Sequence, residues 1–286
     1  MILIVDSGST KADWIAVDNN GNQLLEKIRT KGLNPAILSN KKLGKIIKKS
    51  KDLKEHSNEV THVFFYGAGC GTDKPKVLLK EVLVNIFPNA HVEVNEDTLA
   101  AVYSTINHIN EAAVVCIMGT GSNCSYYDGK EVHQNVKSLG YTLMDDASGN
   151  YYGKQLIRDY YFGHMPEEVK IAFGSKFNMD SDFIKYNLYK QPNANAYLAN
   201  FAEFMFLHKD SEYTINLIKD GIRVFARNMI FQYKEELKTV PVHFAGSIAY
   251  FSQDEIKEVA KEMGFTTGNF ERRPIEGLVA FHTKNL

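Results

Sequence analysis

The sequence predicts an α/β protein built from two similar halves. Each half opens with a short apolar strand, a polar turn containing Gly and Ser, a second strand and a hairpin turn containing Gly. In the first half, strands and helices then alternate along the chain, as they do in α/β folds. Aligning Gly8-Ser9 with Gly121-Ser122 superposes the two halves, and such self-similarity indicates an internal duplication. Two unrelated hairpins with a common type of turn would give the same match.

Composition narrows the class of protein. A chain of 286 residues with 44% hydrophobic and 23% charged residues is typical of a globular protein with one or two domains. The net charge of −1 and the lack of a long basic run argue against nucleic acid or an anionic membrane as the main partner. An odd number of cysteines, without a C-x-x-C pair, argues against a disulfide framework. No apolar run suits a signal peptide or a membrane span, so we expect a cytoplasmic protein.

The first strand ends in Asp6 and runs into a polar turn. Gly8 can adopt a positive φ and allow backbone N–H groups to face a ligand. Ser9 and Thr10 add two hydroxyl groups, and Lys11 adds an ammonium group. This combination suits a metal-bound polyphosphate. It also suits the tip of an ordinary β-hairpin, and these residues alone do not separate the two interpretations.

Apolar periodicity and the positions of Gly and Pro predict the remaining elements of the first half. Strands are expected at 12–17, 23–29, 61–66 and 91–94, and helices at 41–54, 75–86 and 98–106. Asp97 lies between the last of these strands and the last of these helices. It can be the N-cap of the helix, or a catalytic carboxylate at a strand end, where α/β folds place such groups.

A glycine-rich segment, G-A-G-C-G at 67–71, follows the strand at 61–66. It nearly matches the dinucleotide-binding fingerprint G-x-G-x-x-G, so a nicotinamide-dependent oxidoreductase is a rival hypothesis. The chain opens with three consecutive strands rather than a β-α-β unit, which argues against that fold. We therefore interpret these glycines as a close approach of the backbone to a neighbouring group.

The pattern restarts in the second half. Strands are expected at 113–118, after the turn 119–122 through residue 127, and at 131–136, and an acidic, glycine-flanked segment follows at 143–149. Residues 165–237 are predicted to be helical. A strand at 240–244 then ends in A-G-S at 245–247, where a helix begins, and a last helix is expected at 275–281.

Five motifs in this order carry a family resemblance. They are D-S-G-S-T-K at 6–11, N-E-D at 95–97, G-T-G-S at 119–122, L-M-D-D-A-S-G at 143–149 and A-G-S at 245–247. The chain resembles the sugar kinase, actin and Hsp70 ATPase superfamily, and within it the N-acetylglucosamine kinase branch, which is grouped with the BadF/BadG/BcrA/BcrD ATPases. Two departures concern sugar identity: Asp146-Ala147 replaces the usual Glu-Gly, and Asp6-Ser7-Gly8 replaces Asp-Gly-Gly.

The resemblance implies a fold and a reaction. It implies two ribonuclease H-like (actin-like ATPase) domains with a central cleft, at 1–108 and 109–286, the second with a helical insertion and a last helix that packs back across the hinge. The implied reaction is ATP- and Mg²⁺-dependent phosphorylation of the 6-hydroxyl of an amino sugar, with N-acetylglucosamine favoured over glucosamine and N-acetylmuramic acid. A non-catalytic sugar sensor or ATP-driven activator is a further alternative, and a homodimer is left open.

The resemblance also implies roles for individual residues. Asp6 would hold Mg²⁺, and Asp97 would be the general base. Two turns and one helix start would bind ATP, through Ser9, Thr10, Lys11, Gly119, Gly121, Ser122, Gly246 and Ser247. The amino sugar would be bound by Asn34, Thr120, Gly140 and Asp145.

Overall fold

The computed structural model describes residues 1–8 and 11–285, which divide into two compact units. Of these described residues, those up to Glu111 and from Arg273 onward form the first unit, and Ala112–Arg272 form the second. Each unit contains one five-stranded mixed sheet, which confirms the predicted α/β class. The strands of the described residues are β1 (Ile2–Ser7), β2 (Lys11–Val17), β3 (Ile28–Lys31), β4 (His62–Gly67), β5 (His91–Asn95), β6 (Ala113–Met118), β7 (Ser122–Tyr127), β8 (Val132–His133), β9 (Val242–Ala245) and β10 (Thr267–Glu271).

Helices follow the strands and fill the connection between β8 and β9. They are α1 (Asn40–Lys48), α2 (Lys51–Glu55), α3 (Asp73–Ile86), α4 (Asp97–Thr105), α5 (Gly149–Phe162), α6 (Glu167–Lys176), α7 (Ser181–Tyr189), α8 (Ala194–Phe201), α9 (Glu203–Leu207), α10 (Glu212–Asn228), α11 (Ser247–Phe251), α12 (Gln253–Met263) and α13 (Pro274–Asn285). Two short 3₁₀ helices, Ile230–Tyr233 and Glu236–Lys238, follow α10.

The two sheets have the same topology. In the first unit the strand order is β3-β2-β1-β4-β5, and in the second it is β8-β7-β6-β9-β10. In both, the first three strands are antiparallel neighbours and the last two are parallel to the first. The identical order of five strands confirms the internal duplication that the Gly-Ser turns predict.

Strand β1 is buried on both faces, as its continuous apolar sequence predicts. Leu3 and Val5 belong to the core cluster that includes residues of α1 and α3, whereas Ile2 and Ile4 pack with residues of α4 and α13. Because side chains alternate along a strand, Asp6 is on the same side as Ile2 and Ile4. The alternation therefore directs the carboxylate of Asp6 to the face that α4 covers.

The third strand of each half is shorter than predicted. Residues 23–29 and 131–136 are predicted as strands, whereas β3 and β8 contain four and two residues. In the first unit, the Asp18 carboxylate accepts hydrogen bonds from the backbone N–H groups of Asn20 and Asn22, both at 2.8 Å. This side chain shapes the turn, and most of the chain between the turn and β3 lies outside the sheet.

Two further predictions of secondary structure were wrong. The single helix at 41–54 is divided into α1 and α2, because Ser50 is the N-cap of α2 and its hydroxyl accepts from the Leu53 N–H at 3.5 Å. Strand β10 was not predicted, since Gly268 and Asn269 are unfavourable in strands. A side chain at Gly268 would lie 2.6 Å from the His243 ring, so the glycine lets β10 approach β9.

The last helix packs within the first unit. A Cβ atom at Gly277 would lie 2.5 Å from the carbonyl oxygen of Ser104, so the small residue allows α13 to approach α4 closely. The Tyr66 hydroxyl and His282 Nε2 form a buried hydrogen bond of 2.8 Å. The first unit thus includes the end of the chain, which the predicted domain at 109–286 assigns to the second half.

The cysteines and the apolar character of the helices bear on two expectations from composition. All three cysteines are buried free thiols, as their odd number and spacing predict. Over the ranges 1–8 and 11–285, no helix combines the length and the apolar character needed to cross a membrane.

Candidate active site

Two carboxylates lie at one edge of the first sheet. Strands β1, β4 and β5 are parallel and end at this edge. Asp6 is the second-last residue of β1, and Asp97 follows β5 as the first residue of α4. Glu96 occupies the N-cap position of α4, and its side chain makes no capping hydrogen bond. Asp97 is therefore not the N-cap, and the capping interpretation of this residue was wrong.

The carboxyl group of Asp6 is in an environment that disfavours its charge. Burial, and then the charges of Asp97 and Asp13, raise the pKa of Asp6 from 3.8 to about 6, against a smaller opposite effect of Lys11 and Lys27. A group of nearby carboxylates with too little positive charge attracts a cation. Asp6 is thus the member of this group best suited to a metal ion.

The pKa of Asp97 is also raised. The cause is first burial by the surrounding protein and then the negative charge of Glu96, while the N–H groups of Asp97 and Thr98 act in the opposite direction. The residue as a whole nevertheless has surface that is accessible to solvent. A carboxylate with a raised pKa, on a residue that solvent can reach, can accept a proton from a ligand, as a general base does.

Asp13, in the same sheet, is a carboxylate whose negative charge is balanced by neighbouring cations. It is directly opposite Asp6 in the β1–β2 pairing. Arg29 Nε lies 2.6 Å from one of its oxygens, and Lys27 Nζ lies 3.2 Å from the other. Burial would raise the pKa of Asp13, but these hydrogen bonds and charges hold it below its usual value. Asp13 is occupied by its ion pairs, whereas Asp6 has no ion pair with the residues that the structure describes.

The metal ligands in the first unit fit Mg²⁺ better than they fit an ion whose ligands all come from protein side chains. The described residues contain no cluster of three or more His, Cys, Asp or Glu side chains that could hold a metal ion. Mg²⁺ in phosphoryl-transfer sites is usually bound by one or two carboxylates, with water and phosphate oxygens completing its shell. Asp6, with its raised pKa, provides a donor of that kind.

The glycine-rich segment after β4 is explained by packing. Gly69 has φ of +82°, and a Cβ atom there would overlap the side-chain oxygen of Asn34. That oxygen accepts a hydrogen bond from the Ala36 N–H at 3.0 Å. At Gly71, a Cβ atom would lie 2.9 Å from Glu96 Oε2. The glycines therefore bring Asn34 and Glu96 to the edge that carries Asp97, as the hypothesis of a close approach predicts.

In the second unit, the turn between β6 and β7 is tied to the acidic segment. The Gly119 N–H donates to the carbonyl of Gly121 at 2.9 Å. The Ser122 hydroxyl donates to the carbonyl of Asp146 at 2.7 Å, and the Gly149 N–H donates to the carbonyl of Gly119, also at 2.7 Å. Ser122 is thus committed to an internal hydrogen bond, and the turn has a fixed shape.

The Asp145 carboxylate lies directly against this turn. A Cβ atom at Gly121 would be 2.7 Å from Asp145 Oδ2, so only glycine allows this approach. Asp145 has φ of +67° and Ala147 has φ of +56°. A left-handed backbone is unusual for residues other than glycine and is often found at functional sites.

Two further glycines have separate roles. Gly246 precedes α11 with φ of +110°, and a side chain there would overlap the carbonyl of Met118 and lie 3.2 Å from the Gly119 nitrogen. Gly246 therefore brings the start of α11 against the end of β6, with Ser247 exposed beside it. Gly140 has φ of +83° in a turn in which its carbonyl accepts from the Met144 N–H at 2.9 Å.

Comparison with known proteins identifies the family. The model of the BadF/BadG/BcrA/BcrD ATPase family matches residues 5–274. The chain belongs to this family. Among curated protein sequences, none matches the chain.

Solved structures show the fold of this family member. A Porphyromonas gingivalis protein described as a "putative N-acetylglucosamine kinase" is 33% identical, with a TM-score of 0.89 over 100% of this chain and 99% of that chain. A protein of the same description from Chromobacterium violaceum is 13% identical, with a TM-score of 0.67 over 98% of both chains. A Streptomyces griseus ROK family glucokinase, solved with glucose and AMPPNP, is 12% identical, with a TM-score of 0.66 over 98% and 97%. The chain therefore has the two-domain actin-like ATPase fold of sugar kinases.

Within this ATPase family member, the structure groups most of the predicted site residues by unit. At one edge of the first sheet it brings together Asp6, Lys11, Asn34 and Asp97. Around one turn of the second unit it brings together Gly119, Thr120, Gly121, Ser122, Asp145 and Gly246. Gly140 occupies its own turn. Ser9 and Thr10 lie outside the described residues.

The sequence-based prediction missed Asn150. Its side-chain amide donates to the carbonyl of Thr120 at 2.6 Å and to Asp145 Oδ2 at 3.0 Å. No motif marks this residue, because an asparagine in the first turn of a helix is common and carries no signal of its own.

Proposed function

We propose that this chain transfers the γ-phosphoryl group of ATP to the 6-hydroxyl of an amino sugar, with N-acetylglucosamine as the first candidate. As a member of its ATPase family with the fold of sugar kinases, the chain is an ATP-dependent phosphotransferase. The observation that carries the proposal is the raised pKa of the Asp97 carboxyl group beside Asp6, on a residue that solvent can reach. The relative at 33% identity supports the choice of sugar.

Asp97 would be the general base. The 6-hydroxyl oxygen attacks the γ-phosphorus, the bond to the bridging oxygen of ADP breaks, and the hydroxyl proton passes to Asp97. A raised pKa improves a carboxylate as a proton acceptor near neutral pH. Since phosphoryl transfer requires mainly positioning and charge neutralisation, one well-placed base is sufficient.

The nucleotide would be bound by main-chain groups and a few side chains. Lys11 and the turn 119–122 would contact the phosphates, and Gly246 and Ser247 would lie against adenosine. Asp6 would hold Mg²⁺, which would supply neutralisation of the phosphate charge when bound. Ser9 and Thr10 would contribute hydroxyl groups to the same phosphates.

The amino sugar would be recognised by hydrogen bonds. Asn34, Thr120, Gly140 and Asp145 would contact its hydroxyl groups or its acetamido group. A site built to hydrogen-bond the acetamido group leaves its own polar groups unpaired when glucose binds instead. We therefore expect discrimination against glucose to be large.

A panel of sugars tests this proposal. ADP release is measured with Mg-ATP and N-acetylglucosamine, glucosamine, N-acetylmuramic acid, N-acetylmannosamine or glucose, and the product is located by ³¹P NMR. We expect a 6-phosphate and the highest kcat/KM for N-acetylglucosamine, at least tenfold above glucose. Equal kcat/KM for glucose and N-acetylglucosamine would contradict the proposed specificity. No sugar-dependent ADP release would contradict the kinase itself and favour a sugar sensor.

A further inference from the structure

Asn150, in the first turn of α5, has a side chain that does not cap the helix. Ser148 is the N-cap of α5, and its hydroxyl accepts from the Tyr151 N–H at 3.2 Å. Asn150, the second residue of the helix, is 1% exposed and directs its side chain away from the helix backbone. Asparagine is a mediocre helix former, and this buried one leaves its side-chain oxygen without a hydrogen bond among the described residues. Its presence calls for a reason other than helix stability.

The contacts of Asn150 supply that reason. Its side-chain nitrogen donates to the carbonyl of Thr120 at 2.6 Å and to Asp145 Oδ2 at 3.0 Å, and its backbone N–H also donates to Thr120 at 3.0 Å. Both side-chain contacts require a donor, so they fix which way the amide is oriented. One buried residue therefore ties the carboxylate of Asp145 to the glycine turn that contains Thr120.

These bonds leave the two oxygens of Asp145 unequal. Oδ2 is held by Asn150 and packs against Gly121. Among the described residues, Oδ1 has only a long contact, 3.5 Å from the Ser138 hydroxyl. A carboxylate that is fixed through one oxygen presents the other to a ligand with little loss of conformational freedom on binding.

We infer that Asn150 is a positioning residue for sugar recognition, which fixes Asp145 so that its Oδ1 accepts a hydrogen bond from a sugar hydroxyl. This inference rests on the proposed function. Asn150 itself does not touch the sugar, so its removal acts through Asp145. Removal of the Asn150 side chain should therefore lower the affinity for the sugar and leave the proton transfer to Asp97 unchanged.

Kinetics of Asn150→Ala and Asn150→Asp test the inference, with Asn187→Ala as the control. Asn187 is a helical asparagine whose side chain donates to the carbonyl of Phe183 on its own helix. For Asn150→Ala we expect KM for the sugar to rise about 10- to 100-fold, because a hydrogen bond to a charged group is lost. We expect kcat to change less than threefold, and the control to match the wild type.

The Asn150→Asp variant adds a pH readout. At pH 8 two carboxylates would face each other, and the donor would be missing. On acidification, one proton shared between the two carboxyl groups restores a donor, so KM relative to the wild type should fall as the pH is lowered. A purely structural role would give a KM ratio that does not depend on pH.

A double-mutant cycle tests whether Asn150 affects the KM for the sugar through Asp145 or independently of it. If Asn150 acts through Asp145, Asn150→Ala should have less than a threefold further effect on sugar KM in an Asp145→Ala background. Additive effects in the two backgrounds would overturn the inference, as would an unchanged sugar KM in both Asn150 variants. Melting temperatures identify unfolded preparations, and sugar affinity is then measured by calorimetry on Asn150→Asp. If the wild type fails to phosphorylate any sugar, the proposed function fails instead.

Discussion

At the scale of single residues, Asp6 and Asp13 are directly opposite each other on β1 and β2, and their pKa values shift in opposite directions. The folded pKa of Asp6 is about 6 against 3.8 in a model compound, so the folded state binds the proton more tightly than the unfolded state does. Stability must then fall as the pH rises from about 4 to above 6. A difference of about two units corresponds to about 3 kcal/mol at most.

This linkage predicts that Asp6→Asn is more stable than the wild type at high pH. The free energy of unfolding should exceed that of the wild type by up to about 3 kcal/mol at pH 8 without Mg²⁺, and by nearly nothing at pH 4. Urea denaturation at both pH values measures it. Mg²⁺ should stabilise the wild type more than the variant, because a ligand stabilises the state that binds it.

Asp13→Asn is the matched control. In the wild type, the pKa of Asp13 is lower in the folded state than in the unfolded state. The ion pairs of Asp13 therefore stabilise the folded state above the unfolded pKa, and this stability is lost as the pH falls. Asp13→Asn should therefore destabilise the protein at pH 8, in the opposite direction to Asp6→Asn. A loss of stability in both variants at pH 8 would show that the charge of Asp6 is compensated.

The sequence predicts some of these residues and not others, for a physical reason. The sequence predicts Asp6 and Asp97 because each follows an apolar run, and strand ends in α/β folds often carry functional groups. Asn150 cannot be found, because its two acceptors are 30 and 5 residues away and meet it only after α5 packs against the turn. The left-handed conformation of Ala147 is equally invisible, since alanine has no preference for it.

At the scale of elements, glycines decide how closely helices approach. Gly153 lies in α5, and a side chain there would overlap the carbonyl of Leu198 in α8. Gly44 lies in α1, where an added Cβ atom would find its nearest neighbour, Val82, at 3.8 Å. The same substitution should therefore have opposite effects at these two positions.

Gly153→Ala should destabilise the protein by about 1 to 3 kcal/mol, because α5 and α8 must move apart. Gly44→Ala should stabilise it by about 0.5 to 1 kcal/mol, because alanine is the better helix former and the site has room. Chemical denaturation of both variants at one pH measures the difference. A stabilised Gly153→Ala would contradict the close packing of α5 and α8.

The two errors at this scale have different causes. The residues at 23–29 look like a strand by composition, but the Asp18 turn directs most of them away from the sheet. Strand β10 has a sequence that disfavours a strand, yet Gly268 lets it pair with β9. In the first case local hydrogen bonds of a side chain outweigh the β propensity of the segment, and in the second a tertiary contact outweighs its low β propensity.

At the scale of the whole molecule, the repeated turns predict the duplication, whereas the return of the last helix is implied only by the family resemblance. The repeated turn motifs reveal two sheets of equal topology. The attachment of α13 to the first unit depends on Gly277 beside Ser104 and on the buried Tyr66–His282 pair, contacts far apart in the sequence. Linear order alone places this helix in the second half.

We propose that the chain is a sugar kinase in which Asp97 accepts the proton of the sugar hydroxyl. Replacing Asp97 by asparagine removes the acceptor while keeping the size of the side chain. Because burial and Glu96 raise the pKa of Asp97, its charge is unfavourable in the folded state, and the variant should be at least as stable as the wild type. Glu93→Gln, at an exposed acid of β5 paired with His91, is the control.

The most direct measurement is kcat for N-acetylglucosamine-dependent ADP formation, with the melting temperature taken on the same preparation. Asp97→Asn should lose about 10²- to 10⁴-fold in kcat with an unchanged or higher melting temperature, and with sugar and Mg-ATP still bound. Glu93→Gln should retain the kcat of the wild type. A wild-type kcat in Asp97→Asn, at an unchanged melting temperature, would contradict the assignment of Asp97 as the base.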